Sequence, residues 1–245
     1  IATAKNNNSI SDLESSVFFQ RNTFSLTENL LKEKSSGIIA EFKRQSPSKG
    51  IINDTVSAIE VVKAYEDAGV AGSSVLTDTE FFGGNKQDLQ SVRNEVSIPL
   101  LRKDFMIDEY QFIEAKNWGA DVILLIASIL TPQQVKSFTD LAKSLHLEVL
   151  LELHGENELN HVYHKVDMVG VNNRNLKTFE VDIEQSIRMA NKLGNDFVKI
   201  AESGISNIST LKHFKQNGFQ GFLIGENFMK TDHPGKACKD FIAQL

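Results

Sequence analysis

The chain reads as an α/β protein, a (β/α)8 barrel with an N-terminal helical extension. Three observations carry that reading: eight short β-type runs along residues 38–225, a helical period between successive runs, and a length of 245 residues that suits one such barrel. An open eight-stranded sheet is the alternative with the same alternation.

The elements follow in chain order. Residues 1–12, IATAKNNNSISD, are polar and expected to be frayed or loosely attached. SLTENLLKEKSS, at 25–36, reads as a helix with Thr27 or Ser25 as N-cap, so that 1–37 forms an extension before the first strand. Strands are expected at 38–42, 73–77, 99–103, 121–126, 148–152, 167–171, 198–202 and 221–225. Helices are expected in TVSAIEVVKAYEDAG, KQDLQSVRNEV, DEYQFIEAKNWG, TPQQVKSFTDLAKSLH, GENELNHVYHK, DIEQSIRMANKLG, NISTLKHFKQNG and HPGKACKDFIAQL. Gly69, Gly119, Gly194 and Gly218 close several of them at the left-handed stop that glycine tolerates. These units account for residues 1–245 as a single domain.

Composition excludes several function classes. A net charge of −6 and a pI near 5.6 give no global basic field, which disfavours extended nucleic-acid binding but leaves room for local cations on a small anion. Cys238 is the only cysteine, which excludes an intramolecular disulfide framework and a Cys-based zinc cluster and fits a reducing cytoplasm. No run approaches a membrane span, and the first residues lack the layout of a signal peptide. The chain begins with Ile1 rather than Met, consistent with a missing upstream residue or tag.

In a barrel of this kind the catalytic face lies at the C-terminal ends of the strands. That edge is heavily polar here. In SGIIAEFKRQSPSKG, period two puts Glu41 and Lys43 on one face of an otherwise apolar strand. The later strands end in LLRKDF, VLLELH, VGVNNRN, VKIAESG and FLIGEN. Glu41, Lys43, Lys103, Glu152, Asn172, Arg174 and Glu202 therefore converge on one mouth. Any one of them alone reads as a structural ion pair or a solvated strand end. As a ring drawn from several strands they read as a preorganised polar site, because unpaired buried charge is costly.

ESGIS after the seventh strand and IGENFMK after the eighth each set a glycine beside a turn into a helix, where N–H groups favour a phosphate. Phe82, Phe105 and Leu176 reach the same mouth and can wall a slot for a planar ring, although core packing is the default for each. His154, His161 and His164 fall on a stretch expected to be helical and to pack outside the barrel, so they read as surface rather than metal ligands. Neither a GxSxG elbow nor a GxxxxGK[ST] loop occurs.

The motifs IIAEFKRQSPSKG, IPLLRKDFMID, LLELH, GVNNRNL, AESGIS and FLIGENFM, in this order and spacing, resemble the indole-3-glycerol phosphate synthase family of tryptophan biosynthesis. The resemblance runs from about residue 25 to the end. It implies a metal-free, cofactor-free carboxy-lyase that turns 1-(2-carboxyphenylamino)-1-deoxyribulose 5-phosphate into indole-3-glycerol phosphate, carbon dioxide and water. Position by position, Lys103 matches the principal general acid. Lys43 matches a second lysine that contacts the substrate's anionic groups and takes part in dehydration. Glu152 matches the group that handles protons in dehydration, and Glu41 a carboxylate that orients and tunes the lysines. Asn172 and Arg174 match residues that position substrate, Arg174 toward the anthranilate carboxylate, and Ser46 belongs to the same binding set. Glu202 and Ser203 match a pair on the seventh strand. Phe82, Phe105, Leu124 and Leu176, with Leu223, match the apolar wall. Ser203, Gly204, Gly225 and the backbone of Glu226 match the phosphate cradle.

Some members carry a small hydroxyl residue at Glu226, so its side chain is expected to point away while its N–H faces the ligand. The rival readings are another phosphate-sugar barrel enzyme, such as phosphoribosylanthranilate isomerase, and a catalytically silent barrel that binds a phosphorylated ligand or docks a partner. The two separate lysines argue against the first, and the intact acid and base candidates against the second. A monomer is expected, with an oligomer left open. The connection KRQSPSKGIIND is long enough to close over substrate.

Overall fold

Strand β1 (Ile38–Phe42) contains the pattern that builds the molecule. Ile39 packs into the barrel interior while Ile38, Ala40 and Phe42 pack outward under the helices, as pleating dictates. The computed structural model describes residues 5, 9–174 and 180–245. Seven further parallel strands follow: β2 (Gly72–Leu76), β3 (Leu100–Lys103), β4 (Val122–Ile126), β5 (Glu148–Leu153), β6 (Met168–Asn172), β7 (Val198–Glu202) and β8 (Gly221–Ile224). They pair in sequence order, and β8 closes on β1 through Ile38↔Phe222 and Ala40↔Ile224. The open sheet is thereby ruled out. Strand ends differ from the expected ones by a single residue at most.

Among the described residues α1 (Ile10–Glu14), α2 (Val17–Gln20) and α3 (Leu26–Leu31) precede the barrel. The expected frayed start is corrected from Ser9 onward, where Ser9 caps α1 and Lys5 pairs with Asp108 at 2.9 Å. Ser25, rather than Thr27, caps α3 by accepting the Glu28 N–H. The Ser25 hydroxyl and the N–H groups of Leu26 and Thr27 then donate to Glu148 at the entrance of β5. Leu26 and Leu30 descend from α3 into the inner cluster with Ile39, Leu101, Leu150 and Ile200, sealing the barrel floor.

Around the barrel lie α4 (Ala58–Asp67), α5 (Thr79–Phe82), α6 (Lys86–Arg93), α7 (Tyr110–Asn117), α8 (Pro132–Ser144), α9 (Ile183–Lys192), α10 (Ile208–Gln216), α11 (Glu226–Met229) and α12 (Pro234–Ile242). Thr131 and Gln134 form a reciprocal capping box at the start of α8. The helix expected in GENELNHVYHK is a 3-10 turn over Glu156–His161. Its buried Glu158 spends its carboxylate on the His154 N–H at 2.6 Å, and His161 Nε2 contacts the Leu130 carbonyl at 2.9 Å. Those local bonds hold a tight turn where an α-helix would swing the carboxylate away. Among the described residues no helix is long and apolar enough to cross a membrane.

Candidate active site

The inward face of each strand is apolar at the floor and charged at the mouth. Along one face Ile39 gives way to Glu41, Leu101 to Lys103, Leu150 to Glu152 and Ile200 to Glu202. Register levels these ends, with Leu76 beside Lys103, Ile126 beside Glu152 and Asn172 beside Glu202. The result is a cavity of about 530 Å³ at the strands' C-terminal ends.

Lys103 stands at its centre. Its Nζ lies 3.1 Å from Glu202 Oε2, 3.2 Å from Glu41 Oε2 and 4.0 Å from Glu152 Oε2. Lys43 Nζ reaches Glu41 Oε1 at 2.5 Å, so the acid and base that share a face of β1 are partners. Asn172 Nδ2 donates to Glu152 Oε1 at 3.0 Å, while Asn172 Oδ1 accepts the Arg174 N–H at 3.0 Å. Two glycines make room for this cluster. A side chain at Gly170 would overlap Glu202 Oε1, and one at Gly225 would overlap Glu41 Oε1.

Burial and charge compete at each group. Burial favours neutral Lys103, yet Glu41, Glu202 and Glu152 outweigh it and hold the ammonium well above the usual lysine range. Burial likewise resists ionisation of Glu41, but Lys103 and Lys43 carry it down to about 2. Glu152 and Glu202 separate. For Glu152 the penalty of burial is overcome by His154, Lys103 and Asn172, and its carboxyl is driven far down. For Glu202 burial dominates, Glu152 adds repulsion, and its carboxyl rises well above the carboxylate range. A proton on Glu202 also accounts for Oε1, a buried oxygen with no donor. The two carboxyls are thus pushed in opposite directions, Glu152 toward the ionised form and Glu202 toward the protonated one.

The strand 7 turn is strained: Ser203 has φ 67° and Gly204 φ 72°, a left-handed pair that only the second residue adopts freely. Asn173 Nδ2 secures it by donating to the Ser203 carbonyl at 2.7 Å. Ser203, Gly204, Gly225 and Glu226 face the cavity together. The Glu226 side chain, expected to point away, reaches across the mouth to Lys49 at 3.6 Å and Arg174 at 3.7 Å. Those two cations attract it toward the mouth.

Phe82, Phe105, Leu124 and Leu223 line the apolar side, and Phe105 packs 6.3 Å from Phe82 between ring centres. Ser46 lines the mouth from a two-residue strand pair, Gln45–Ser46 with Gly50–Ile51. Leu176 lies outside the described residues. His154, assigned above to the barrel exterior, is instead in the cavity, with Nε2 2.9 Å from Glu152 Oε1. Its position two residues after Glu152 was the available signal, hidden by the expected helix. Lys230 and Asp104 also line the cavity without having been singled out. Arg102, stacked 4.0 Å from the Trp118 ring centre, donates to Asp104 at 2.9 Å beneath Lys103.

Two solved structures share the architecture. A chain of the tryptophan synthase a2b2 complex from Pyrococcus furiosus matches with a TM-score of 0.63 at 14% identity, over 86% of this chain and 98% of that one. The 3-hexulose-6-phosphate synthase of Salmonella typhimurium matches with a TM-score of 0.65 at 13% identity, over 84% and 98%. These likenesses concern the fold. At the sequence level, the indole-3-glycerol phosphate synthase of Bacteroides thetaiotaomicron is 49% identical over 215 residues, 88% of this chain and 83% of that protein. That of Campylobacter fetus subsp. fetus is 42% identical over 215 residues, 87% and 83%. The model of the family described as indole-3-glycerol phosphate synthase matches residues 1–241, and the chain belongs to that family.

Proposed function

We propose that this chain converts 1-(2-carboxyphenylamino)-1-deoxyribulose 5-phosphate to indole-3-glycerol phosphate, carbon dioxide and water, with Lys103 as the principal general acid. The observation that carries the assignment is the Lys103 ammonium held within 4.0 Å of the carboxyl groups of Glu41, Glu152 and Glu202 at the mouth. In the first step the ring carbon bearing the carboxylate attacks the ribulose carbonyl carbon. A C–C bond forms, and the carbonyl oxygen takes a proton from Lys103 and becomes a hydroxyl. Charge develops on that oxygen only in the transition state, so a cation aimed there stabilises it more than the ground state. Carbon dioxide then leaves, and the electrons of the broken bond restore the aromatic ring.

Dehydration removes the new hydroxyl as water. An acid protonates it, for which Lys43 is assigned, and Glu152 accepts the proton lost as the indole double bond forms. Glu41 orients both lysines through its two oxygens. Glu202 keeps a proton beside Lys103 and so avoids placing a third negative charge there. Arg174 and Asn172 take the anthranilate carboxylate end, with Ser46 nearby. Phe82, Phe105, Leu124, Leu223 and Leu176 are assigned to the ring. Lys43 and the N–H groups of Ser203, Gly204, Gly225 and Glu226 are assigned to the phosphate.

We further assign the protein to the cytoplasm, in keeping with its single, buried Cys238, and expect a monomer with an oligomer left open. Adding the carboxyphenylamino substrate to purified protein and following indole fluorescence tests the reaction. A rise above the buffer control is expected, and no rise overturns it.

A further inference from the structure

Glu152 has a neighbour for which the reaction above provides no part. His154 follows it by two residues, so the strand's period carries both side chains inward. The imidazole is 11% exposed and stands between two carboxylates. Its Nε2 is 2.9 Å from Glu152 Oε1 in an ion-pair contact without hydrogen-bond alignment, and that oxygen accepts from Asn172. Its Nδ1 is 4.0 Å from Glu158 Oε2, and that same oxygen accepts the His154 backbone N–H at 2.6 Å. Gln185 Nε2 donates to the His154 carbonyl at 3.3 Å from α9. The backbone is thus held from two directions, which fixes where the ring can stand.

The charged groups facing the ring are all acidic: Glu152 on β5, Glu158 on the following turn and, farther off, Glu202 on β7. We propose that His154 is a positioning residue for Glu152, its ring set 2.9 Å from the carboxylate oxygen that faces Asn172 and pairing with it when protonated. The proposal rests on the assignment of Glu152 to dehydration.

The two adjacent buried carboxyls are pushed in opposite directions, and something must set them apart. Burial disfavours the imidazolium, but the three glutamates outweigh it and raise His154 above its ordinary value. His154 in turn is foremost among the groups that bring Glu152 down against burial. Glu202 meets Lys103 at 3.1 Å on Oε2, whereas Glu152, 4.0 Å from Lys103, has His154 2.9 Å from its other oxygen. The imidazole therefore stands where Glu152 lacks a close lysine.

Profiles of kcat and KM against pH for wild type, His154→Ala, His154→Gln, Glu152→Gln and the double variant His154→Ala/Glu152→Gln test this. His154→Ala is expected to lower kcat by on the order of tenfold or more with KM changed by less than about twofold. Its acid limb moves to higher pH, because Glu152 without a cation binds its proton more tightly. His154→Gln keeps a donor but no charge, so it recovers part of kcat while the acid limb stays displaced. The double variant is no slower than Glu152→Gln alone, since the residues act as a unit. An unmoved acid limb in both His154 variants, or losses that multiply in the double variant, overturns the proposal.

A readout independent of turnover is the NMR titration of the His154 imidazole. Its midpoint is expected to fall in Glu152→Gln relative to wild type, and an unchanged midpoint overturns the pairing. If wild type forms no indole product, the reaction assignment falls, and the imidazole titration still decides whether His154 and Glu152 are coupled.

Discussion

At Lys103 burial and charge pull in opposite directions, and the balance decides what the residue does. The surrounding carboxyl groups, Glu41 foremost, keep the ammonium protonated against burial, so it yields its proton only to an oxygen that is becoming strongly basic. Lys103→Ala is expected to lower kcat by about 10²- to 10⁴-fold while circular dichroism and product-analogue affinity stay near wild type; turnover within tenfold of wild type would remove Lys103 from the role. The neighbouring carboxyls predict opposite stability profiles. Glu41 falls from its ordinary 4.5 to about 2 on folding, so it stabilises the fold above about pH 4.5 and loses that contribution toward pH 2. The deficit in Tm of Glu41→Gln should accordingly be present at neutral pH and shrink as acid is added. Glu202 is raised on folding and destabilises the fold as pH climbs from its ordinary 4.5 through its elevated folded value. Glu202→Gln should gain Tm over wild type across that same climb. Differences independent of pH would refute both assignments.

Each barrel strand serves two purposes, because its inward face is a dry packing surface at one end and a charged wall at the other. Helix α3 completes the dry end. Removing three carbons from buried Leu30 leaves a cavity in the floor, so Leu30→Ala is expected to cost about 2–4 kcal/mol in chemical denaturation. kcat should change by less than about twofold, as the chemistry lies at the opposite end; a tenfold loss would tie the floor to the site. At the charged end Arg44 holds the root of the first connection by a two-pronged pair with Asp88, at 2.5 and 2.8 Å. The strands were legible in the sequence to within a residue, since period two is a local property of the pleat. The turn after β5 was not, because the bond from the His154 N–H to Glu158 favours a 3-10 turn that helical spacing does not reveal.

For the molecule as a whole, the contacts of Ser25, Leu26 and Leu30 join α3 to the barrel. The extension and barrel should then unfold together: far-ultraviolet circular dichroism and the fluorescence of Trp118, stacked on Arg102, are expected to give coincident transitions. An early melt seen by only one probe would make the extension a separate unit. The sequence by itself determined the eightfold alternation, the closed barrel as its best solution, and the polar residues at strand ends, including most of those now found around Lys103. Each of these depends on spacing along a few residues, and backbone geometry converts spacing into direction. Which oxygen meets which nitrogen was decided only by the tertiary structure. Lys103 and Glu202 are 99 positions apart yet form a 3.1 Å hydrogen bond. The opposite shifts of Glu152 and Glu202, the reach of Glu226 toward Arg174, and the place of His154 beside Glu152 all follow from such distances. Coulomb energy and desolvation depend on separation and burial in space, and barrel closure sets both.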